Sequence, residues 1–317
     1  MNVLVTGAGL LGAHSAAALM ERGHTVTLLD AAPDEGYVRS VAGTDMRLLT
    51  GDVTELRALV ELTRGTDAVV HTAGRIGPVA QADPHRAFTV NVMGTANVAE
   101  AARLAGARHV VFASTHGVYD WDASGETLMT ESWPTTARGV YPASKLAAEH
   151  VLQAYADAGG LEVLALRFSN LFGRGHYIAG SRGGEAFNEL ITLAVRGETA
   201  RVRAQVSGRG EWLYAKDAAR AVVAAVERSG IERFTVVNVG SGRLVGPEEI
   251  IAAIRAVIPD ARFGDPEPPG RERRRSFDLA TARRVLGWEP AYTLERAIAD
   301  YISEVRVTGE ASRPQDR

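Results

Sequence analysis

The sequence predicts an α/β chain: a doubly wound parallel sheet with a smaller, interleaved C-terminal lobe. Three observations predict it. Short β-branched or apolar runs alternate with Ala-rich helical stretches through the first half. The first run leads through a glycine turn, Gly7-Ala8-Gly9-Leu10-Leu11-Gly12, into a helical pattern. After Asn170 the alternation fades into a stretch containing Gly and Arg, and apolar runs that could rejoin the sheet appear only later.

In chain order, strands are expected at residues 3–5, 26–29, 46–49, 68–70, 109–112 and 163–166. Each is a short run of mainly β-branched or apolar residues alternating with helical patterns. The stretches at 10–22, 55–62, 89–104 and 144–158 are long enough to cross over a parallel sheet. Residues 173–184 read as an inserted binding segment, followed by a helix at 185–195, a strand at 236–239 and a final helix at 294–305. The tail from Thr308 is polar and expected to fray. The division is a nucleotide-binding domain over 1–170 and a mainly substrate-binding lobe over 171–317. Later segments are expected to return to the sheet, so that no clean linker separates the two.

With 46% hydrophobic and 23% charged residues, the chain has the composition of a soluble globular protein. A net charge of -3 supplies no overall attraction to nucleic acid or anionic lipid, which leaves a small molecule as the expected partner. There is no cysteine, hence no disulfide, no thiolate nucleophile and no Cys-ligated metal, and nothing requires an oxidising compartment. A cytoplasmic location follows as the default. The apolar opening lacks the basic leader of a signal peptide, and no run approaches the ~20 apolar residues that span a bilayer.

The turn from Gly7 to Gly12 has GxGxxG spacing between a strand and a helix, where backbone can approach a pyrophosphate at the helix N-terminus. That makes the first domain Rossmann-type. Gly7, Gly9, Leu10, Leu11 and Gly12 are the expected cofactor contacts. Asp30 ends the second strand, where a carboxylate accepts from both adenosine ribose hydroxyls and repels a 2′-phosphate, so NAD is favoured over NADP. Asp52, with Val53 after it, either caps the next helix or faces the adenine.

Tyr141-Pro142-Ala143-Ser144-Lys145 sets a phenol and an ammonium four residues apart, on one face of a helix. A free Tyr, with a pKa of ~10, is a poor base at neutrality; a nearby cation favours its phenolate. The run from Val111 to Thr115 ends a strand on two hydroxyls, Ser114 and Thr115, suited to orienting a substrate oxygen. The histidines show no metal-ligand spacing, and no metal is expected.

Taken together, GAGLLG (7–12), Asp30, GDVTE (51–55), HTAG (71–74), NVMGT (91–95), STHGVYD (114–120), YPASK (141–145), LRFSNLFG (166–173) and LGWEP (286–290) resemble an extended short-chain dehydrogenase/reductase of the nucleotide-sugar epimerase/dehydratase family. The resemblance covers nearly the whole chain. It implies that Thr115 contacts the substrate hydroxyl, that Tyr141 is the base, and that Lys145 binds the ribose and lowers the Tyr141 pKa. It further implies that Ser114 and Asn170 help hold substrate, that Ala73 and Gly74 line the cofactor, and that Asn91 contacts the cofactor loop or fixes a helix.

Two places depart from the family pattern. Where its 4,6-dehydratases carry an acidic pair after the Thr, this chain has His116-Gly117, which disfavours elimination. His116 is left between a loop histidine with a structural hydrogen bond and an acid or base. The segment from Arg209 to Asp217 only partly matches the family's stretch, so Arg209 and, in the basic run 271–275, Arg274 are candidates for a diphosphate while a solvated loop remains an equal reading. The expected activity is NAD-dependent epimerisation of a nucleotide-linked sugar through a keto intermediate. A dehydrogenase of a sugar, sugar acid or other secondary alcohol uses the same residues, and a dinucleotide sensor without catalysis is the rival from another class. A homodimer is expected from the resemblance, paired through the small Ala faces of 89–104 and 144–158, although those alanines can equally pack internally.

Overall fold

In the computed structural model, which describes residues 1–107, 109–125, 128–175, 181–230, 232–270 and 273–309, the glycine turn sits at the centre of the molecule. β1 (Asn2–Thr6) buries every residue from Val3 onward, the pattern of a strand covered on both faces. It leads through the turn into α1 (Leu10–Glu21). The winding continues with β2 (Thr25–Asp30), α2 (Glu35–Ala42), β3 (Arg47–Thr50), α3 (Leu56–Leu62) and β4 (Ala68–His71). Two short helices, α4 (Gly77–Ala82) and α5 (Pro84–Phe88), and a π-helical segment, Thr89–Met93, then run into α6 (Gly94–Ala105).

β5 (His109–Thr115) is followed by one 3-10 turn, His116–Val118, then β6 (Leu128–Met129), α7 (Val140–Ala158), β7 (Glu162–Phe168) and β8 (Asn170–Phe172). The last part holds α8 (Arg182–Val195), β9 (Trp212–Tyr214), α9 (Ala215–Glu227), β10 (Phe234–Val239), α10 (Pro247–Val257), β11 (Ser276–Phe277), a second π-helical segment, Ala282–Leu286, and α11 (Leu294–Thr308).

Seven parallel strands form the main sheet in the order β10-β7-β5-β4-β1-β2-β3. The chain winds outward from β1 to β3, then returns to β4 on the other side. The carboxyl ends of β1 and β4 therefore open a crevice at the point where the winding reverses, the standard place for a ligand in this architecture. One face of the sheet packs against α1, α2 and α9 around Val5, Leu28, Leu166 and Val222; the other packs against α3, α6 and α7 around Leu4, Val69, Phe112 and Leu152.

The lobes are interleaved, as the fading alternation predicts. β10 pairs with β7 at the sheet edge, α9 packs on α1, and Trp288 is buried in the same core, so segments beyond Asn170 complete the main sheet and its core. A second core, with Phe172, Phe187, Trp212 and Tyr301, joins α8, α10 and α11. Asp217, at the start of α9, ties the lobes by accepting from the amides of Ala291 and Tyr292 at 2.9 Å each. The parallel pairs β8–β9 and β6–β11 carry the chain between the sheet and this lobe. Among the described residues no helix is long and apolar enough to cross a membrane.

Candidate active site

Backbone geometry makes two glycines of the turn obligatory and leaves a third facing open space. Gly7 has φ +94°, and a Cβ there would lie 2.5 Å from the Ala73 nitrogen; a Cβ on Gly12 would lie 1.8 Å from the Gly7 carbonyl oxygen. These glycines let β1, α1 and the loop after β4 meet. Gly9, at the N-cap of α1, would place a Cβ within 4 Å of no other protein atom, and no side chain caps the helix there. It opens onto a cleft of about 970 Å³ that includes Gly7, Gly9, Leu10, Leu11 and Gly12.

At one end of this cleft Asp30 accepts from the Ala8 and Ala32 amides at 2.7 and 2.8 Å, one through each oxygen. Each oxygen keeps a further lone pair for a ribose hydroxyl. Asp52 combines a local and a tertiary bond: Oδ1 accepts from the Thr54 amide at 2.9 Å, and Oδ2 from Arg86 Nη2 at 2.6 Å. Its carboxyl stays below the usual range, because these bonds and the Arg86 charge outweigh its partial burial. Val53, Ala73 and Gly74 also line the cleft. An uncapped helix N-terminus, a glycine floor, a ribose-accepting carboxylate and a volume near the top of the usual ligand range fit a dinucleotide.

The other end is chemical. Ser114 and Thr115 at the end of β5, and Tyr141 and Lys145 on the first turns of α7, all line the cleft. Burial pushes the Tyr141 phenol up to about 12, against a hydrogen bond with Thr115 that pulls it down. Burial also draws the Lys145 ammonium down to about 7, with Glu149 one turn further along α7 opposing the shift. Lys145 Nζ lies 4.4 Å from the centre of the Phe112 ring and faces Gly74, where a Cβ would come within 3.6 Å. Lys145 is thus aimed across α7 at the loop that lines the cofactor end.

A buried layer holds this end in place. Asn91 is wholly buried: it donates to the Arg75 carbonyl and to Ser144 Oγ and accepts from the Arg75 amide, all within 2.9 Å. Asn91 is not among the residues that line the cleft; its bonds fix α7 to the loop after Gly74, as the helix-fixing alternative expects. Ser114 Oγ donates to Glu149, which forms a two-pronged pair with Arg167 at 2.6 and 3.0 Å. All three are buried, and each donor meets a carboxylate oxygen. His71 sits between Thr6 and Thr95 and is pulled down to about 3 by burial and then by the Lys145 charge, so it is a neutral structural histidine.

On the substrate side Asn170 lines the cleft and donates through Nδ2 to the Glu211 carbonyl at 3.1 Å. Arg209 and Arg274 are exposed and are not among the residues that line the cleft. In the stretch before β11, Arg273 lies 3.8 Å from the centre of the Trp121 ring and Arg275 5.0 Å from that of the Trp133 ring, while Arg274 is exposed. Arg271 lies outside the described residues. Glu211 is buried, accepts from the Gly242 and Phe277 amides at 2.9 and 2.8 Å, and is pushed up to about 7 by that burial against the pull of these bonds. Arg75, Arg86 and Arg182 line the cleft and escaped the sequence reading. Arg182 had a signal, since it falls in the Gly- and Arg-containing stretch after Asn170.

Comparison with known proteins agrees with this geometry. Residues 3–240 match the family described as the NAD dependent epimerase/dehydratase family. The chain is 30% identical to the UDP-glucose 4-epimerase of Corynebacterium glutamicum, covering 95% of this chain and 94% of that protein. It is 29% identical to the dTDP-glucose 4,6-dehydratase of Xanthomonas campestris pv. campestris, over 94% and 91%. Its structure is similar to that of a UDP-glucose-4-epimerase from Stenotrophomonas maltophila with bound NAD and formylated UDP-arabinopyranose, with a TM-score of 0.83, 25% identity, and coverage of 98% and 99%.

Proposed function

Because the chain belongs to the NAD-dependent epimerase/dehydratase family, we propose that it inverts one hydroxyl-bearing carbon of a nucleotide-linked sugar through a transient keto form. The observation that carries the reading is that Thr115, Tyr141 and Lys145 line the same cleft as the glycine turn and Asp30. Bound NAD would supply reversible hydride transfer at the sugar carbon without net consumption of cofactor. Gly7, Gly9, Leu10, Leu11 and Gly12 would hold its pyrophosphate, Asp30 its adenosine ribose, and Asp52, Val53, Ala73 and Gly74 would flank it.

Thr115 hydrogen-bonds the sugar hydroxyl and Tyr141 takes its proton at the phenolic oxygen. In the cofactor-free chain burial keeps that phenol protonated. Its basicity must therefore come from positive charge brought nearby, from Lys145 and from the bound nicotinamide. Lys145 would hold the nicotinamide ribose. Ser114, turned toward Glu149, supports Thr115 from behind, and Asn170 contacts the sugar nucleotide. For the diphosphate the reading favours Arg182, at the N-terminus of α8, over Arg209 and Arg274. His116 in place of an acidic pair argues against dehydration.

A homodimer belongs to the same proposal, supported by Phe88, Met93 and Leu104, large apolar side chains left exposed along α5, the π-helical segment and α6. So does the cytoplasmic location. The test is to incubate the purified protein with a panel of sugar nucleotides, free sugars and sugar acids, following stereochemistry by NMR and NADH by absorbance. Inverted nucleotide sugar without accumulating NADH is the expected result. Stoichiometric NADH from a free sugar or sugar acid, with every nucleotide sugar inert, rejects it in favour of a dehydrogenase.

A further inference from the structure

Asn170 lines the cleft, and what holds its amide lies behind the cleft wall. Its backbone N–H and its Nδ2 both donate to the carbonyl of Glu211, at 3.2 and 3.1 Å. β8 and β9 run side by side from this point, with Asn170 opposite Trp212. The place of the Glu211 carbonyl therefore decides where the Asn170 side chain stands.

Glu211 is in turn fixed by its own side chain, which is 3% exposed. Oε1 accepts from the Gly242 amide in the loop after β10, and Oε2 from the Phe277 amide in β11. Gly240 leaves the room for this, since a Cβ there would collide with Oε1. One carboxyl thus ties that loop and β11 to the start of β9. Asn170 and Ser169 separate the cleft from a small space on the Glu211 side, and the titratable or charged groups that share this space are His116 and Arg273. His116 is drawn down to about 3 by burial and then by the Arg273 charge, so it is neutral. Arg273 lies over the Trp121 ring, and Arg243, next to Gly242, pairs with Glu249. Among the described residues Glu211 forms no ion pair. Two amide N–H groups are therefore what favours its charged form, against a burial that pushes it up to about 7. An ionised carboxylate accepts through both oxygens, whereas a protonated one turns an O–H toward groups that can only donate. Protonation weakens one of the two ties.

We propose that Glu211 is a positioning residue whose ionised carboxylate holds Asn170 in its substrate-binding place, so that affinity for the substrate is gated by a carboxyl outside the reacting set. The identity of that substrate rests on the nucleotide-sugar reading. Glu211 neither touches the sugar nor moves a proton in the reaction.

The test uses NAD-loaded protein. In the wild type the KM for the nucleotide sugar rises about tenfold from pH 8 to pH 6, as the binding-competent fraction falls. Glu211→Gln is neutral at every pH and sets an NH2 group against one of the two amides. Its KM stays near the wild-type value at pH 6 and is flat over the same range, while kcat remains within about threefold of wild type at each pH. Glu211→Gln combined with Asn170→Ala is no worse than Asn170→Ala alone, because residues acting through one bond are not additive. Lys145 titrates in the same range; a KM limb that persists in Glu211→Gln belongs elsewhere and overturns the proposal, as does a loss of kcat with KM unmoved. A second arm needs no turnover. In 15N-labelled wild type the backbone amide signals of Gly242 and Phe277 and the side-chain amide signals of Asn170, identified by their loss in Asn170→Asp, move with one midpoint near pH 7, and Glu211→Gln abolishes that midpoint at all three. If the wild type converts no nucleotide sugar, the proposed function fails while this arm still decides the role of Glu211. Asn170 signals that stay still while Gly242 and Phe277 titrate would end it.

Discussion

Removing one oxygen separates chemistry from binding at Tyr141. Tyr141→Phe is expected to lower turnover by roughly 10²–10⁴-fold, the usual worth of a positioned acid or base, with NAD affinity nearly unchanged in a titration. Retention of wild-type turnover would remove Tyr141 from the base role. Lys145 carries a stability cost as well as a function. Its ammonium, 10.5 in the open chain, is drawn down to about 7 by burial. Between those values the unfolded chain binds more protons than the folded one, so the contribution of Lys145 to stability rises with pH through that window. Below about 7 the full cost of burying the charge is felt. Lys145→Met should therefore raise the melting temperature of cofactor-free protein at pH 6, raise it less at pH 10, and abolish activity; an equal gain at both values would contradict the account. At this scale the sequence was informative where spacing carries geometry. Tyr141 and Lys145 share a helix face, and Thr115 and Asp30 end strands at the crevice. It was silent where a side chain's place depends on the rest of the molecule: only the packing of Trp121 shows that Arg273, not Arg274, is held by a ring, and only β5 and β7 lying side by side bring Ser114 to Glu149 and Arg167.

The glycine turn makes a sharper contrast at the level of the element. Gly12→Ala forces a Cβ to within 1.8 Å of the Gly7 carbonyl, so the junction of β1 and α1 must open and the protein should lose both stability and NAD binding. Gly9 has an ordinary φ of -74° and its Cβ would meet no protein atom. Gly9→Ala should keep a melting temperature within about 2 °C of wild type, yet bind NAD at least about tenfold more weakly because the methyl occupies the cofactor's space. Equal NAD affinity in Gly9→Ala would place the pyrophosphate elsewhere. Behind α7, Glu149→Gln leaves Arg167 buried without its counter-charge and should cost about 3–5 kcal/mol in denaturant unfolding. Long apolar strands and Ala-rich crossovers were legible because burial on both faces leaves continuous apolar runs. α2, α9 and α10 lie outside the helices expected from the sequence, and the two-residue strands β6 and β11 carry no period at all. The segment 89–104 was read as one helix; its first turn is π-helical, with Asn91 turned into the core and tied to Ser144.

Interleaving governs the molecule as a whole. A fragment ending at residue 170 would lose β10 from the sheet edge and α9 and Trp288 from the core behind α1. It should neither unfold cooperatively nor bind NAD, and a well-folded, NAD-binding fragment would refute the structural dependence argued here. The fading of the alternation after Asn170 made the return to the sheet legible; the length of the excursion was not, because the second core forms only when α8, α10 and α11 meet. The account's central claim is that one cleft takes a hydrogen from a sugar carbon and gives it back to the same carbon on the other face. The most direct measurement is to supply a nucleotide sugar carrying deuterium at the carbon that inverts, and to follow the product by NMR and mass spectrometry in ordinary water. The account predicts inverted product that retains the deuterium at that carbon, with no accumulation of reduced cofactor. Inverted product that has lost its deuterium to solvent, or oxidised product with the deuterium carried away on released cofactor, would contradict it.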